Sequence, residues 1–165
     1  MKTSEFEKVR IKYFESIHDG NLTKIGLQPK LCPAGIWTVG WGHALYFNGK
    51  PLKVADFDMI EKYFPQFSNM SLEQADALFE DDLVKFENLV NTKLKVQVTQ
   101  NEFDALISFS WNCGYSETLF SLINSRSPKD VIGQWWRTHY ITSNGNQLPG
   151  LVIRRTKEFN LFMAA

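Results

Sequence analysis

Residues 32–43 read Cys32-Pro33-Ala34-Gly35-Ile36-Trp37-Thr38-Val39-Gly40-Trp41-Gly42-His43. Trp37, Val39 and Trp41 alternate with Thr38, Gly40 and Gly42, the two-residue period of a strand with one buried face. Glycine inside a strand pattern marks a bulge or a close backbone approach. Directly downstream, Leu45-Tyr46-Phe47 runs into Asn48-Gly49, a strong signal for a two-residue hairpin turn. A small antiparallel sheet of three short strands is therefore expected over about residues 36–54. Its aromatic faces suit a sugar ring, and they equally suit a packed hairpin with a core histidine. The pattern leaves both open.

On either side of this sheet the hydrophobic period becomes helical. Upstream, Ser4-Glu5-Phe6-Glu7 fits a capping box, with Ser4 as N-cap and Glu7 reaching back. Phe6, Val9, Tyr13 and Ile17 then repeat as a stripe, and Asp19-Gly20 ends the run, which predicts a helix over about residues 5–17. Residues 20–35 form a long connection rich in Gly, Pro and Asn. Downstream, Ser71-Leu72-Glu73-Gln74 is a second capping box. It opens a long amphipathic helix through Ala75, Leu78, Phe79, Leu83, Phe86 and Val90 to about Leu94. Thr99-Gln100-Asn101-Glu102 opens a helix whose body, Phe103 to Trp111, is apolar on nearly every side and should be the central buried one. A short helix near 116–124 follows, then one with Pro128 at its first position, an Asn144-Gly145 turn, and a last helix from Leu148-Pro149-Gly150 to about Met163. Segregated helices and strands of this kind make an α+β architecture. A space between a sheet lobe and a helix lobe is a natural seat for an extended ligand.

The composition excludes several functions. The 165 residues are 44% hydrophobic and carry 18 basic and 18 acidic side chains. Residues 21–55 hold four lysines and no acid, whereas residues 56–104 hold four lysines against eleven acids. A uniformly basic surface for nucleic acid is therefore not expected. No apolar run approaches the roughly 18 residues of a membrane span. Met1–Phe14 mixes acids and bases, so no secretory signal is expected, and synthesis in the cytoplasm is. His18, His43 and His139 show no metal-ligand spacing, and there is no phosphate-binding glycine loop, so neither metal nor cofactor is expected. Cys32 and Cys113 make no disulfide framework.

Glu15 is the first residue with chemistry to offer. It lies opposite the Phe6–Val9–Tyr13–Ile17 stripe, beside Ile11 and Phe14. A glutamate flanked by apolar groups can be held in its acid form by desolvation, as a general acid requires. From position alone it reads as a surface glutamate on a polar face.

Glu15 followed by the Cys32–His43 run resembles the signature of the phage-type lysozymes (endolysins), glycoside hydrolase family 24. Cys32 and Thr38 are separated by five residues, as the corresponding positions are in that family. The likeness continues through Asp81-Asp82-Leu83 with Phe86, Glu87 and Val90, and through Thr99–Leu106 to Trp111-Asn112-Cys113-Gly114. It ends in Leu148-Pro149-Gly150-Leu151-Val152-Ile153-Arg154-Arg155 with Glu158. It implies a lysozyme-like two-lobe fold within one domain, 1–165: a sheet lobe over about 15–70, a connecting helix over about 71–95, and a helical lobe over about 96–165 with residues 1–14.

The resemblance implies a muramidase that hydrolyses the β-1,4 bond between N-acetylmuramic acid and N-acetylglucosamine in peptidoglycan. Glu15 would be the general acid, with Cys32 and Thr38 placing a water. Ala44, Trp111 and Thr118 would contact the glycan. His43, Arg154 and Arg155 would serve structure and charge pairing. Two other readings stand beside it: an inactive peptidoglycan-binding relative, and a lytic transglycosylase. A monomer is expected, without stable membrane insertion, acting on the wall after release through a partner pore, or holin.

The chain departs from the family pattern in three places. Sixteen residues separate Glu15 from Cys32, more than the family has, which places an insertion over about 17–28. Ser16 stands where the family has glycine. Cys32 stands where it commonly has aspartate, and a thiol with a pKa of about 8.5 is a poor base at neutral pH. Asp19, inside the insertion, is a candidate substitute carboxylate.

Overall fold

The computed structural model of the chain describes residues 1–15, 27–32, 34–143 and 145–164. Ser16, Ile17, Asp19 and Lys24, with most of the expected insertion, lie outside the described residues. The fold divides into two compact units: Lys12–Asp82, and Met1–Ile11 together with Leu83–Ala165.

In the Lys12–Asp82 unit, β1 (Lys30–Leu31), β2 (Trp37–Val39) and β3 (His43–Ala44) form an antiparallel sheet in the order β1-β2-β3. Its register sets Lys30 opposite Thr38 and Thr38 opposite Ala44. Gly40 and Gly42, with φ of 53° and 91°, turn the chain between β2 and β3. L side chains rarely adopt these angles, so the strand alternation stops at Val39 and Trp41 belongs to the turn. A hairpin of β4 (Tyr46–Phe47) and β5 (Lys50–Pro51) follows, with Asn48 and Gly49 at φ of 49° and 75°. Two left-handed residues in a row are what a type I′ turn requires.

The core of this unit is Leu27, Val39, Leu45, Leu52, Ile60, Met70 and Ala75, with Trp37 and Trp41 packed against it. Trp37 donates its indole N–H to the Lys53 carbonyl at 2.8 Å and lies 5.1 Å from the Phe57 ring. The aromatic pattern is thus a packed hairpin. Between the hairpin and the long helix sits α2 (Phe57–Tyr63), flanked by single 3-10 turns. It buries only Ile60, too little periodicity to announce itself in the sequence.

The long helix α3 (Leu72–Lys93) contributes to both units. Its Ser71–Gln74 capping box forms with both hydrogen bonds, at 2.8 and 3.2 Å. In the other unit, α4 (Gln100–Cys113) starts from a complete Thr99–Glu102 box, and every residue from Phe103 to Ser110 is buried. α5 (Glu117–Asn124) packs against α6 (Lys129–Thr138), α6 against α7 (Pro149–Met163), and α7 against α4, with a small hairpin of β6 (Thr142–Ser143) and β7 (Asn146–Gln147) before α7. Pro128 precedes α6 as its N-cap instead of opening it. The Trp136 ring meets Phe109 edge-on at 5.7 Å and Phe162 at 5.3 Å.

The first helix, α1 (Glu5–Glu15), overturns the expected stripe. Phe6, Val9 and Tyr13 are 65%, 67% and 73% exposed, while Glu7 and Ile11 are buried. Polar anchors upstream set the roll of the helix. The Met1 ammonium donates to Asn91 Oδ1 at 2.7 Å, Lys2 Nζ to Glu87 at 2.7 Å, and Thr3 gives both its N–H and its hydroxyl to Glu87 Oε1. The Ser4 N–H goes to Asp104 Oδ1 at 3.0 Å, where the capping-box reading placed Glu7. Only half of that box forms, from the Glu7 N–H to Ser4 Oγ at 3.2 Å. Glu7 turns inward instead, 3.3 Å from the Arg10 guanidinium.

Candidate active site

Glu15 is the last residue of α1 and is half-buried. Its carboxyl lies against the glycine turn. A Cβ built on Gly42 would come within 2.9 Å of Glu15 Oε2 and 3.4 Å of its Cδ. The positive φ favours glycine at 42, and a side chain there would push the Glu15 carboxyl aside.

The same turn is held from the other side. Asp76, on α3, accepts hydrogen bonds on one oxygen from Lys12 Nζ at 2.6 Å and from the Trp41 indole N–H at 2.7 Å. The Lys12 hydrogen bond, seconded by Trp41, holds the Asp76 carboxyl below the usual range. Next to Asp76, Ala75 sits 3.4 Å from where a Gly40 Cβ would be.

Thr38, in the middle of the three-stranded sheet, is 4% exposed and donates its hydroxyl hydrogen to the Lys30 carbonyl at 3.0 Å. Ala44 is its cross-strand partner on β3. Cys32 follows β1 directly, half-buried, as a free thiol. Its N–H donates to the Ile36 carbonyl and its own carbonyl accepts from the Gly35 N–H, closing the turn that leads into β2. His43 pairs with Asp82 at 2.5 Å and lies 5.7 Å from the Phe67 ring, a structural link between β3 and α3.

Glu15, Cys32, Thr38 and Ala44 thus share one unit, and Trp111 and Thr118 belong to the other. Trp111 is half-buried with its ring 5.1 Å from Phe86; Thr118 is exposed on α5. Arg154 and Arg155 converge on the fully buried Glu158, each at 3.1 Å, and Ser108 and Trp136 also donate to its carboxylate. The cluster ties α7 to α4 and α6. Cys113 is likewise a free thiol, pushed above the ordinary range by burial while Arg155 donates to its Sγ. Among the described residues, no group of three or more His, Cys, Asp or Glu could hold a metal ion. Lys12, Trp41 and Asp76 escape a reading of the sequence. They come from three segments, and no local spacing relates them.

Residues 22–158 match the family described as phage lysozyme. The chain belongs to the phage lysozyme family. This phage lysozyme is 30% identical over 171 residues to an endolysin of Acyrthosiphon pisum secondary endosymbiont phage 1, covering 100% of both chains. It is 37% identical over 98 residues to an endolysin of Bacillus phage B103, matching 57% of this chain and 36% of that one. Among solved structures, it resembles the muramidase domain of SpmX from Asticaccaulis excentricus, with a TM-score of 0.71, 26% identity and 99% coverage of each chain. It also resembles an endolysin from Escherichia coli O157:H7 phage FAHEc1, with a TM-score of 0.68, 30% identity, and coverage of 99% and 94%. The lysozyme-like α+β fold follows from these likenesses.

Proposed function

We propose that this phage lysozyme cleaves the β-1,4 bond between N-acetylmuramic acid and N-acetylglucosamine with Glu15 as general acid. Membership of the family makes the chain a peptidoglycan-hydrolysing glycosidase. The observation that carries the assignment of the acid is the Gly42 backbone set against the Glu15 carboxyl. The backbone covers one side of that carboxyl where any side chain at 42 would displace it.

Cleavage needs a proton on the leaving oxygen and a nucleophile at the sugar carbon. Glu15 supplies the proton. A water adds to the anomeric carbon, its surplus proton passes to solvent, and Glu15 is reprotonated. Thr38 supports the placement of that water. Its hydroxyl donates to the Lys30 carbonyl, and a hydroxyl can both donate and accept hydrogen bonds, so it can orient a water without carrying charge. Cys32 is a secondary group, a thiol in the turn that leads into β2. Ala44, Trp111 and Thr118 are proposed glycan contacts on the strength of the family resemblance. The proposal includes a monomeric enzyme that reaches the wall through a holin. Size-exclusion chromatography, and expression with and without a holin, test those two points.

Glu15→Gln should abolish the clearing of purified walls while leaving the thermal melt in place. Near-normal clearing by that variant overturns the assignment. Mass spectrometry of the fragments should show reducing-end muramic acid; anhydro sugars would instead make the enzyme a transglycosylase. Alkylation of Cys32 should reduce the rate without abolishing it.

A further inference from the structure

We infer that Asp76 is a positioning residue for Glu15, a latch that fixes the glycine turn against the acid. The inference rests on the reading of Glu15 as the acid. Three segments meet at a single oxygen, Asp76 Oδ1. Lys12 comes from α1, one turn before Glu15, and Trp41 comes from the turn itself, adjacent to Gly42. The Lys12 ammonium also lies 5.3 Å from the centre of the Trp41 ring and 4.9 Å from that of Phe79, so the indole is gripped at its N–H and at its face.

Stability alone does not account for this arrangement. The Lys12 and Asp76 side chains are 23% and 44% exposed, so the pair is partly screened by water and contributes modestly to folding. The ion pairs of Arg154 and Arg155 with Glu158 are far more deeply buried. What the Asp76 link does control is geometry. Gly40 and Gly42 leave the turn with unusual backbone freedom on both sides of Trp41. With the Trp41 indole released, the Gly42 backbone no longer has a fixed distance from Glu15 Oε2. A misplacement of an ångström at a catalytic group is enough to slow chemistry without weakening substrate binding.

The test compares Asp76→Ala, Asp76→Asn, Trp41→Phe, Lys12→Met and the double variant Asp76→Ala/Trp41→Phe, with Glu15→Gln as reference. The kcat and KM are measured on solubilised peptidoglycan fragments well below each melting temperature. Asp76→Ala and Trp41→Phe should each lower kcat about 10- to 100-fold with KM within about twofold of the parent. The double variant should be no slower than the slower single one, since both cut the same link. Asp76→Asn keeps an acceptor oxygen at the junction and should recover most of the rate. Trp41→Phe and Lys12→Met carry the test if Asp76→Ala does not fold. Unchanged kcat in Trp41→Phe and Lys12→Met, with Glu15→Gln inactive, overturns the latch and leaves the acid standing. A loss confined to KM, or additive losses in the double variant, also overturns it. An active Glu15→Gln overturns both.

Discussion

Glu7 carries a carboxyl into the interior of the helical unit, where burial pushes its pKa up to about 7 against the opposing pull of Arg10. The folded protein therefore binds this proton more tightly than the unfolded chain. The contribution is fully present below about pH 4.5 and is lost as pH rises through about 7. The difference is of order 3 kcal/mol. Glu7→Gln should accordingly melt higher than the parent at pH 8, and the gap should close toward pH 5; parallel pH–melting curves would contradict this. The sequence pattern hid this residue, because Ser4-x-x-Glu7 reads as a surface capping box. Only the competing Asp104 acceptor reveals why Glu7 is free to turn inward. Glu15 was legible only through the resemblance of the Glu15 and Cys32–His43 motifs to a family, since its helix position by itself reads as a surface glutamate. Its contact with Gly42 was not, since that depends on how the turn folds back.

The elements follow their local chemistry wherever a few adjacent residues decide the outcome. Asn48-Gly49 makes its hairpin, and Ser71 and Thr99 start their helices, because turn angles and caps are settled within four residues. The roll of α1 was not legible. Its apolar stripe faces outward, since hydrogen bonds from residues 1–4 to Glu87, Asn91 and Asp104 orient the helix before any stripe can. Packing between helices is equally hidden. A Cβ on Gly133 of α6 would collide with the Phe159 ring of α7. Gly133→Ala would gain about 1 kcal/mol of helix propensity. Overpacking should outweigh this gain, for a net loss of about 1–2 kcal/mol. A lower urea midpoint with an unchanged slope is the expected reading, and a higher midpoint would mean that Phe159 swings aside freely.

For the molecule as a whole, a net charge of zero conceals a polarity along the chain. The stretch 21–55 carries only positive charge, and its described lysines, Lys30, Lys50 and Lys53, are exposed. Bacterial walls are anionic, so these residues should supply salt-sensitive attraction. Reversing all three to glutamate should flatten or invert the dependence of lysis on ionic strength, and an unchanged dependence would assign the attraction elsewhere. The sequence by itself determined the α+β class, the Asn48-Gly49 hairpin, the helix starts at Ser71 and Thr99, the central buried helix and the family to which the chain belongs. Each of those depends on period, caps or motif spacing, which act over a few residues. The tertiary structure alone decided which face of α1 is buried, that Glu7 is interior, and that Lys12, Trp41 and Asp76 meet beside Glu15. Those are contacts between residues as far apart as 12 and 76, and burial and hydrogen-bond competition at such a distance leave no mark on local pattern.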